Sequence, residues 1–125
     1  MSHFSKVKTV FVEEDHLRGA LADLGCGVGT GKTTLKDYDG NMKQVDFAVS
    51  VPGCQWPIGF VKTKTGYEMV VDWYFMPIRQ EDFVALIAQK YAYRVVAEKL
   101  LKQGFAVKED TQDADQTRRL VFERV

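Results

Sequence analysis

Two apolar runs, Ile58 to Lys64 and Tyr67 to Phe75, flank a single Thr65-Gly66 pair. No other feature constrains the fold as much, because two such runs on either side of a tight turn pair as an antiparallel hairpin. Side chains alternate along a strand, so Met69, Val71, Trp73 and Phe75 share one face of the second arm. Glu68, Val70, Asp72 and Tyr74 share the other.

The rest of the chain supplies partners for this hairpin. Phe4 to Val12 predicts a first strand of imperfect alternation. Leu17, Ala20, Leu21 and Leu24 form the i, i+3, i+4, i+7 stripe of an amphipathic helix over Asp15 to Leu24, with Gly25 placed to end it. Residues 25 to 44 are glycine-rich and polar, with a short strand at Thr33 to Tyr38 and a turn at Asp39-Gly40-Asn41. Val45, Phe47, Val49 and Val51 alternate with Asp46, Ala48 and Ser50, and Pro52-Gly53 ends that strand. Pro77 breaks the hairpin's second arm.

A second helix opens at Gln80-Glu81-Asp82 and runs to Lys102. Its expected buried stripe is Phe83, Leu86, Ile87, Tyr91, Val95 and Ala97, and Gly104 caps it. Phe105 to Lys108 and Arg119 to Val125 read as a last pair of strands around an acidic loop, Glu109 to Gln116. Short links between strands favour antiparallel pairing. The expectation is one α+β domain over 1–125: a two-layer sandwich of mostly antiparallel sheet, two helices on one face, ferredoxin-like in broad plan. The other face of the sheet is expected to be uncovered, a candidate docking surface if it carries Trp73, Tyr74 or Phe75.

Bulk properties narrow the function classes. A chain of 125 residues fits one domain and can bury about two thirds of its unfolded surface. Its 17 basic and 17 acidic residues balance, whereas gripping a phosphate backbone favours a basic excess, so nucleic acid is not an expected partner. Cys26 and Cys54, far in sequence from His3 and His16, make no zinc pattern and are expected as free thiols. No apolar run approaches the ~18 residues of a membrane span, and the start lacks a signal peptide's apolar middle. A cytoplasmic or stromal setting follows.

The stretch GCGVGTGKTT, residues 25 to 34, invites a nucleotide-binding reading. A P-loop needs a glycine five positions before Gly31, and Cys26 stands there instead. A P-loop also follows a strand and opens a helix, but this segment follows a helix and soon reaches Asp39-Gly40. The better reading is a mobile glycine-rich connector, with a weak anion nest as its remaining chemistry.

Candidate binding residues are Trp56, Asp72, Trp73, Tyr74, Tyr91 and Tyr93. A carboxylate held in an apolar strand can serve as an acid or base, but Asp72 has no catalytic partner at a telling spacing. A structural bond from Asp72 to a tyrosine or a backbone donor is favoured. Asp46 reads as an edge or solvent-facing acid. Asp39, Asp46 and Asp72 could meet as an oxygen-rich metal site, although their spacing matches no known loop. Trp56 in its loop is either a contact point or core. Arg118, Arg119, Arg124 and Lys108 form a basic strip beside Glu109, Asp110, Asp113 and Asp115, where local pairing is expected. No catalytic residue, metal or cofactor is assigned.

Short blocks along the chain carry a family likeness: Met1-Ser2-His3-Phe4-Ser5, Leu17 to Leu24, Tyr38-Asp39-Gly40-Asn41, Val45-Asp46 and Ile58-Gly59-Phe60. Gly66-Tyr67-Glu68 leading to Asp72-Trp73, Tyr91-Ala92-Tyr93, Gln103-Gly104-Phe105 and Arg119-Leu120-Val121 continue it. In this order they resemble the hypothetical chloroplast reading frame 35 family (domain of unknown function 1257). Tyr74 stands where the family often has a second tryptophan, and residues 25–34 look like a local elaboration. The resemblance implies a cyanobacterial, plastid or cyanophage setting, a small accessory protein, and association with an AAA-type ATPase. It implies no established activity.

The leading expectation is a non-enzymatic accessory or adaptor protein that binds a protein partner or a second copy of itself. The alternative is a small ligand-binding domain or enzyme with a pocket around Asp72, Tyr91 and Tyr93. An RNA-binding module with aromatics on the sheet is a third, weakened by the neutral charge and the absence of an RNP-type pattern.

Overall fold

The structure, a computed structural model, describes residues 3–112 and 118–124. The chain divides into two compact units, Met1–Tyr91 and Ala92–Val125.

The first unit is built on a five-stranded sheet. Its strands are β1 (Ser5–Lys8), β2 (Gly27–Val28), β5 (Phe47–Ser50), β6 (Ile58–Lys62) and β7 (Tyr67–Val71), in the order β1-β7-β6-β5-β2. All neighbours are antiparallel. The predicted hairpin is β6–β7, closed where Thr63 N–H donates to the Gly66 carbonyl at 2.7 Å. The register aligns Phe47, Phe60, Met69 and Val7 in one row across four strands. Phe47 and Phe60 stack at 5.2 Å between centroids and are fully buried.

Helix α1 (Glu14–Asp23) buries Leu17, Ala20 and Leu21 against this face. Its end follows the glycine rule: Gly25 adopts φ +83° and donates to the Ala22 carbonyl. Helix α2 (Gln80–Lys102) adds Phe83 and Ile87 to the same core, so both helices cover one face of the sheet. The predicted stripe of α2 is only partly buried: Val95 is exposed, and no later residue of the helix joins the core.

The opposite face is not bare, contrary to expectation. Strands β3 (Thr33–Lys36) and β4 (Met42–Val45) form a separate hairpin, and its Leu35 and Val45 pack on Val70 of the sheet. Gly59 makes this possible, because a Cβ there would lie 2.4 Å from Val45 Cγ1 and 2.8 Å from Leu35 Cδ1. The single strand read over Val45–Val51 is two strands in two sheets. The break is Asp46, whose N–H donates to the Phe60 carbonyl at 2.8 Å. Its carboxylate accepts from the Lys62 N–H at 2.6 Å. Val45 thereby serves the outer cluster while Phe47 and Val49 serve the inner one.

The glycine-rich segment is also more ordered than a connector. Gly27 and Val28 pair with Ser50 and Val49 at the sheet edge, and Gly29 N–H donates to the Ala48 carbonyl at 2.7 Å. Lys32 leads into strand β3 rather than a helix, which removes the P-loop geometry. Both cysteines are free, and burial pushes the Cys26 thiol above its ordinary range.

A charged network ties α1 to the sheet. Tyr67 donates to Glu14 Oε1 at 2.8 Å, and Arg18 donates to Glu14 Oε2 at 2.9 Å while lying 4.2 Å from the Phe47 ring centroid. The bond from Tyr67, then that from Arg18, holds Glu14 below its usual range. Burial, then the bond to Glu14, pushes Tyr67 up to about 12. A raised phenol stabilises the fold fully below its unfolded pKa near ~10, and this stabilisation is lost as pH rises toward the folded value. A lowered carboxylate contributes above its ordinary value of 4.5 and loses that contribution as pH falls through the folded one. Absorbance titration of the wild type against Tyr67→Phe is expected to assign a transition near 12 to Tyr67. Glu14→Gln is expected to lower that transition and to flatten the acid limb of a stability–pH curve.

The second unit holds the end of α2 and strands β8 (Phe105–Gln112) and β9 (Arg118–Arg124), which pair antiparallel with an irregularity between Val107 and Glu109. Gly104, at φ +89°, terminates the helix. Strand β8 continues through Glu109 and Asp110, in place of the loop that their acidic, polar sequence predicts; Asp113 and Asp115 lie outside the described residues. Arg124 sits 4.5 Å from the Phe105 ring centroid and donates to the Gln103 carbonyl at 3.3 Å. None of this unit's described residues belongs to a buried cluster, and Val95, Val96, Leu101 and Val107 are exposed.

The α+β class, with a mostly antiparallel sheet and two helices, is what the structure shows. The ferredoxin-like detail is not confirmed: β1 lies at a sheet edge, and the last two strands form a sheet of their own.

Candidate functional site

The second arm of the predicted hairpin stops at Val71, four residues short of the sequence reading. Asp72 is the reason. Its backbone is extended, and its Oδ1 accepts from the Tyr74 N–H at 3.2 Å, which starts a 3-10 turn over Trp73–Phe75. Met76 N–H closes the turn on the Trp73 carbonyl, and Pro77 prevents its continuation into a longer element. The strict alternation of Met69, Val71, Trp73 and Phe75 therefore ends at Val71. Trp73 leans edge-on toward Phe83 of the core at 6.5 Å, while Tyr74 and Phe75 turn outward.

The outcome is an aromatic patch built from three segments. Phe75 stacks on Trp56 at 5.4 Å, meets Tyr74 edge-on at 5.1 Å and lies 6.0 Å from Tyr38. Tyr74 is 79% exposed and Tyr38 65% exposed, while Trp56 and Phe75 are half-buried. The loop carrying Trp56 is held by the Cys54 thiol, which donates to the Trp56 carbonyl at 3.2 Å, and turns at Gly53, whose φ is +82°. The loop carrying Tyr38 is held by Asp37, buried at 3% exposure. Asp37 accepts from the Asn41 N–H at 2.8 Å and its side-chain amide at 3.1 Å. Burial raises the Asp37 carboxyl, but bonds from Asn41, Phe4 and Asp39 outweigh it and leave the group below its ordinary value.

Beneath the patch, Asp72 Oδ2 and Trp73 Nε1 are buried without a hydrogen-bond partner among the described residues. An open cavity of about 470 Å³ is lined by Trp73 together with Met76, Pro77, Ile78, Arg79 and Gln80.

The sequence candidates separate into different roles. Trp56 and Tyr74 join the patch; Asp72 and Trp73 build the turn that presents it. Tyr91 does not accompany them. Its hydroxyl accepts from the N–H groups of Val12 and Glu13 at 3.2 and 3.1 Å, and its ring lies 4.9 Å from Phe11. It anchors the entry to α1, where backbone donors lack helical partners. Tyr93 belongs to the second unit, where its hydroxyl donates to Asp110 at 3.4 Å. Asp39 is exposed, Asp46 is committed to Lys62, and Asp72 to Tyr74, so these three do not gather around a metal-sized site among the described residues. Tyr38 is not among the residues the sequence singles out for binding, and Phe75 is expected there on a bare sheet face rather than in a turn. The available signal was Asp72 followed five positions later by Pro77, a cap and a breaker too close together to leave a strand between them.

The model of the family described as "Protein of unknown function (DUF1257)" matches residues 20–121. The chain belongs to the DUF1257 family. Proteins described as "Uncharacterized protein ycf35" are similar to it over most or all of its length. That of Cyanophora paradoxa is 31% identical over 99% of this chain and 98% of its own length. That of Pyropia yezoensis is 30% identical over the same shares. That of Guillardia theta is 33% identical over 84% of this chain and 83% of its own length. No solved structure matches. The DUF1257 match includes Tyr38, Trp56 and the Asp72–Phe75 turn. No helix among the described residues of this DUF1257 chain is long and apolar enough to cross a membrane.

Proposed function

We propose that the protein is a non-enzymatic accessory factor that works in an aqueous compartment, cytoplasm or plastid stroma, by binding a protein partner. The observation that carries this reading is the exposed patch of Tyr38, Trp56, Tyr74 and Phe75, drawn from three segments and held by dedicated hydrogen bonds. Tyrosine and tryptophan at a surface combine a large apolar face with a polar handle, and they dominate binding energy where they cluster. Four partly exposed rings offer roughly 300–500 Å². That is below the ~800 Å² per side of a standard interface, so the patch suits the anchoring of an extended segment of another protein better than a stable homodimer. The AAA-type ATPase suggested by the family resemblance is the first partner to test.

The test uses the full chain as bait against that ATPase, with light scattering to record its own oligomeric state. Tyr38→Ala with Tyr74→Ala is expected to weaken capture by about tenfold or more, since truncating a hot-spot residue costs about 2 kcal/mol or more. Both side chains lie outside the core, so the melting curve stays near that of the wild type. Undiminished capture by the double variant would sink the reading.

A second reading, a ligand-binding domain, is favoured by the cavity that Trp73 lines and by the Trp73 Nε1 and neighbouring Asp72 Oδ2 atoms that lack partners among the described residues. A thermal-shift screen against metabolites addresses it, with Asp72→Asn as the variant that should lose any shift found.

A further inference from the structure

A second cavity, of about 340 Å³, lies where the glycine-rich segment enters β3. Its size is near the lower end of small-molecule sites, roughly 300–1,000 Å³. Val45 and Val61 supply its apolar lining. Its polar groups are Lys32, Thr33 and Thr34 from the start of the β3–β4 hairpin, and Gln44 and Asp46 from the end of β4. The pairing Thr33↔Val45 and Thr34↔Gln44 fixes the two segments side by side.

These polar groups are unspent. Lys32 makes no ion pair with a described residue, and the Thr33 and Thr34 hydroxyls and the Gln44 amide make no hydrogen bond to one. Asp46 uses Oδ2 for the Lys62 N–H, which locks the carboxylate in place and leaves Oδ1 without a partner among the described residues. One ammonium and one carboxylate thus line the same cavity without bonding each other.

We infer that this cavity binds a small zwitterion of the amino-acid class. The ligand's carboxylate meets Lys32 and the Thr34 hydroxyl, which lie two positions apart on one side of the hairpin, its ammonium meets Asp46, and a short aliphatic part lies on Val61. The formal charges of the lining sum to zero. A ligand with one charge leaves one wall unmatched and faces repulsion from it, whereas a zwitterion satisfies both. The geometry differs from a phosphate-binding loop, because Thr33 enters a strand and no helix N-terminus faces the ligand. This inference is independent of the aromatic patch.

The test is an amide NMR titration of the full chain with the individual amino acids, using inorganic phosphate and ethylamine as single-charge probes. At least one amino acid is expected to give saturable shifts confined to residues 32–34, 44–46 and 61. Phosphate and ethylamine should bind about tenfold more weakly or worse, and Lys32→Met and Thr34→Val should each weaken binding by about tenfold. Both variants alter exposed side chains, so a spectrum preserved elsewhere certifies the fold. The inference is overturned if no amino acid saturates, if phosphate alone binds as tightly, or if the variants bind like the wild type.

Discussion

Gly66→Ala is expected to destabilise the protein by roughly 2–4 kcal/mol, read as a lower urea midpoint at unchanged slope. Two effects add. Gly66 has φ +148°, a backbone conformation that side-chain-bearing residues rarely adopt. A Cβ there would also stand 2.9 Å from the Phe11 carbonyl oxygen and 3.0 Å from that of Thr9. Both obstacles are backbone, so no rotamer change relieves them. The same place carries three ties: Tyr67 N–H to the Phe11 carbonyl at 2.8 Å, Thr9 N–H to the Tyr67 carbonyl at 3.1 Å, and the Thr9 hydroxyl to that same carbonyl. Moving the 9–11 segment away loosens β1 from β7 and the entry to α1. A variant as stable as the wild type would mean that this close approach does not exist.

Phe60→Ala is expected to cost roughly 3–5 kcal/mol, the range for truncating a buried aromatic side chain. Phe60 is fully buried, stacked on Phe47 and cross-strand from Met69, at the centre of the row that both helices cover. Phe75→Ala should cost much less, because that ring is half-exposed and belongs to the patch. Measured together, the two variants separate the core from the aromatic patch. Equal losses would mean that the patch is part of the core, and the proposed contact site would have to be abandoned.

Much of the fold is legible in local pattern. Helix α2 runs from Gln80 to Lys102 as its acidic opening and Gly104 imply, and α1 falls within a residue of its stripe. The hairpin around Thr65-Gly66 and the turn at Gly40 are equally plain, because glycine at a turn answers a local steric demand. Two departures in strand length share one cause. The Val45–Val51 run alternates as one strand does, but Asp46 bonds across to Lys62 and Phe60 and divides it between two sheets. The Tyr67–Phe75 run alternates past Val71, but Asp72 bonds locally to Tyr74 and ends it. Periodicity records which residues are apolar; a polar side chain's choice of partner decides where a strand stops.

The Thr65-Gly66 hairpin, two helices, an α+β class and the absence of a P-loop were determined by sequence alone, since each rests on neighbours a few positions apart. Tertiary structure decided that the β3–β4 hairpin covers the second face, that Tyr91 serves α1 rather than Asp72, and that Tyr38 and Trp56 reach Phe75. Those outcomes depend on contacts between segments tens of residues apart. Such contacts are set by which surfaces remain to be buried once the local elements have formed.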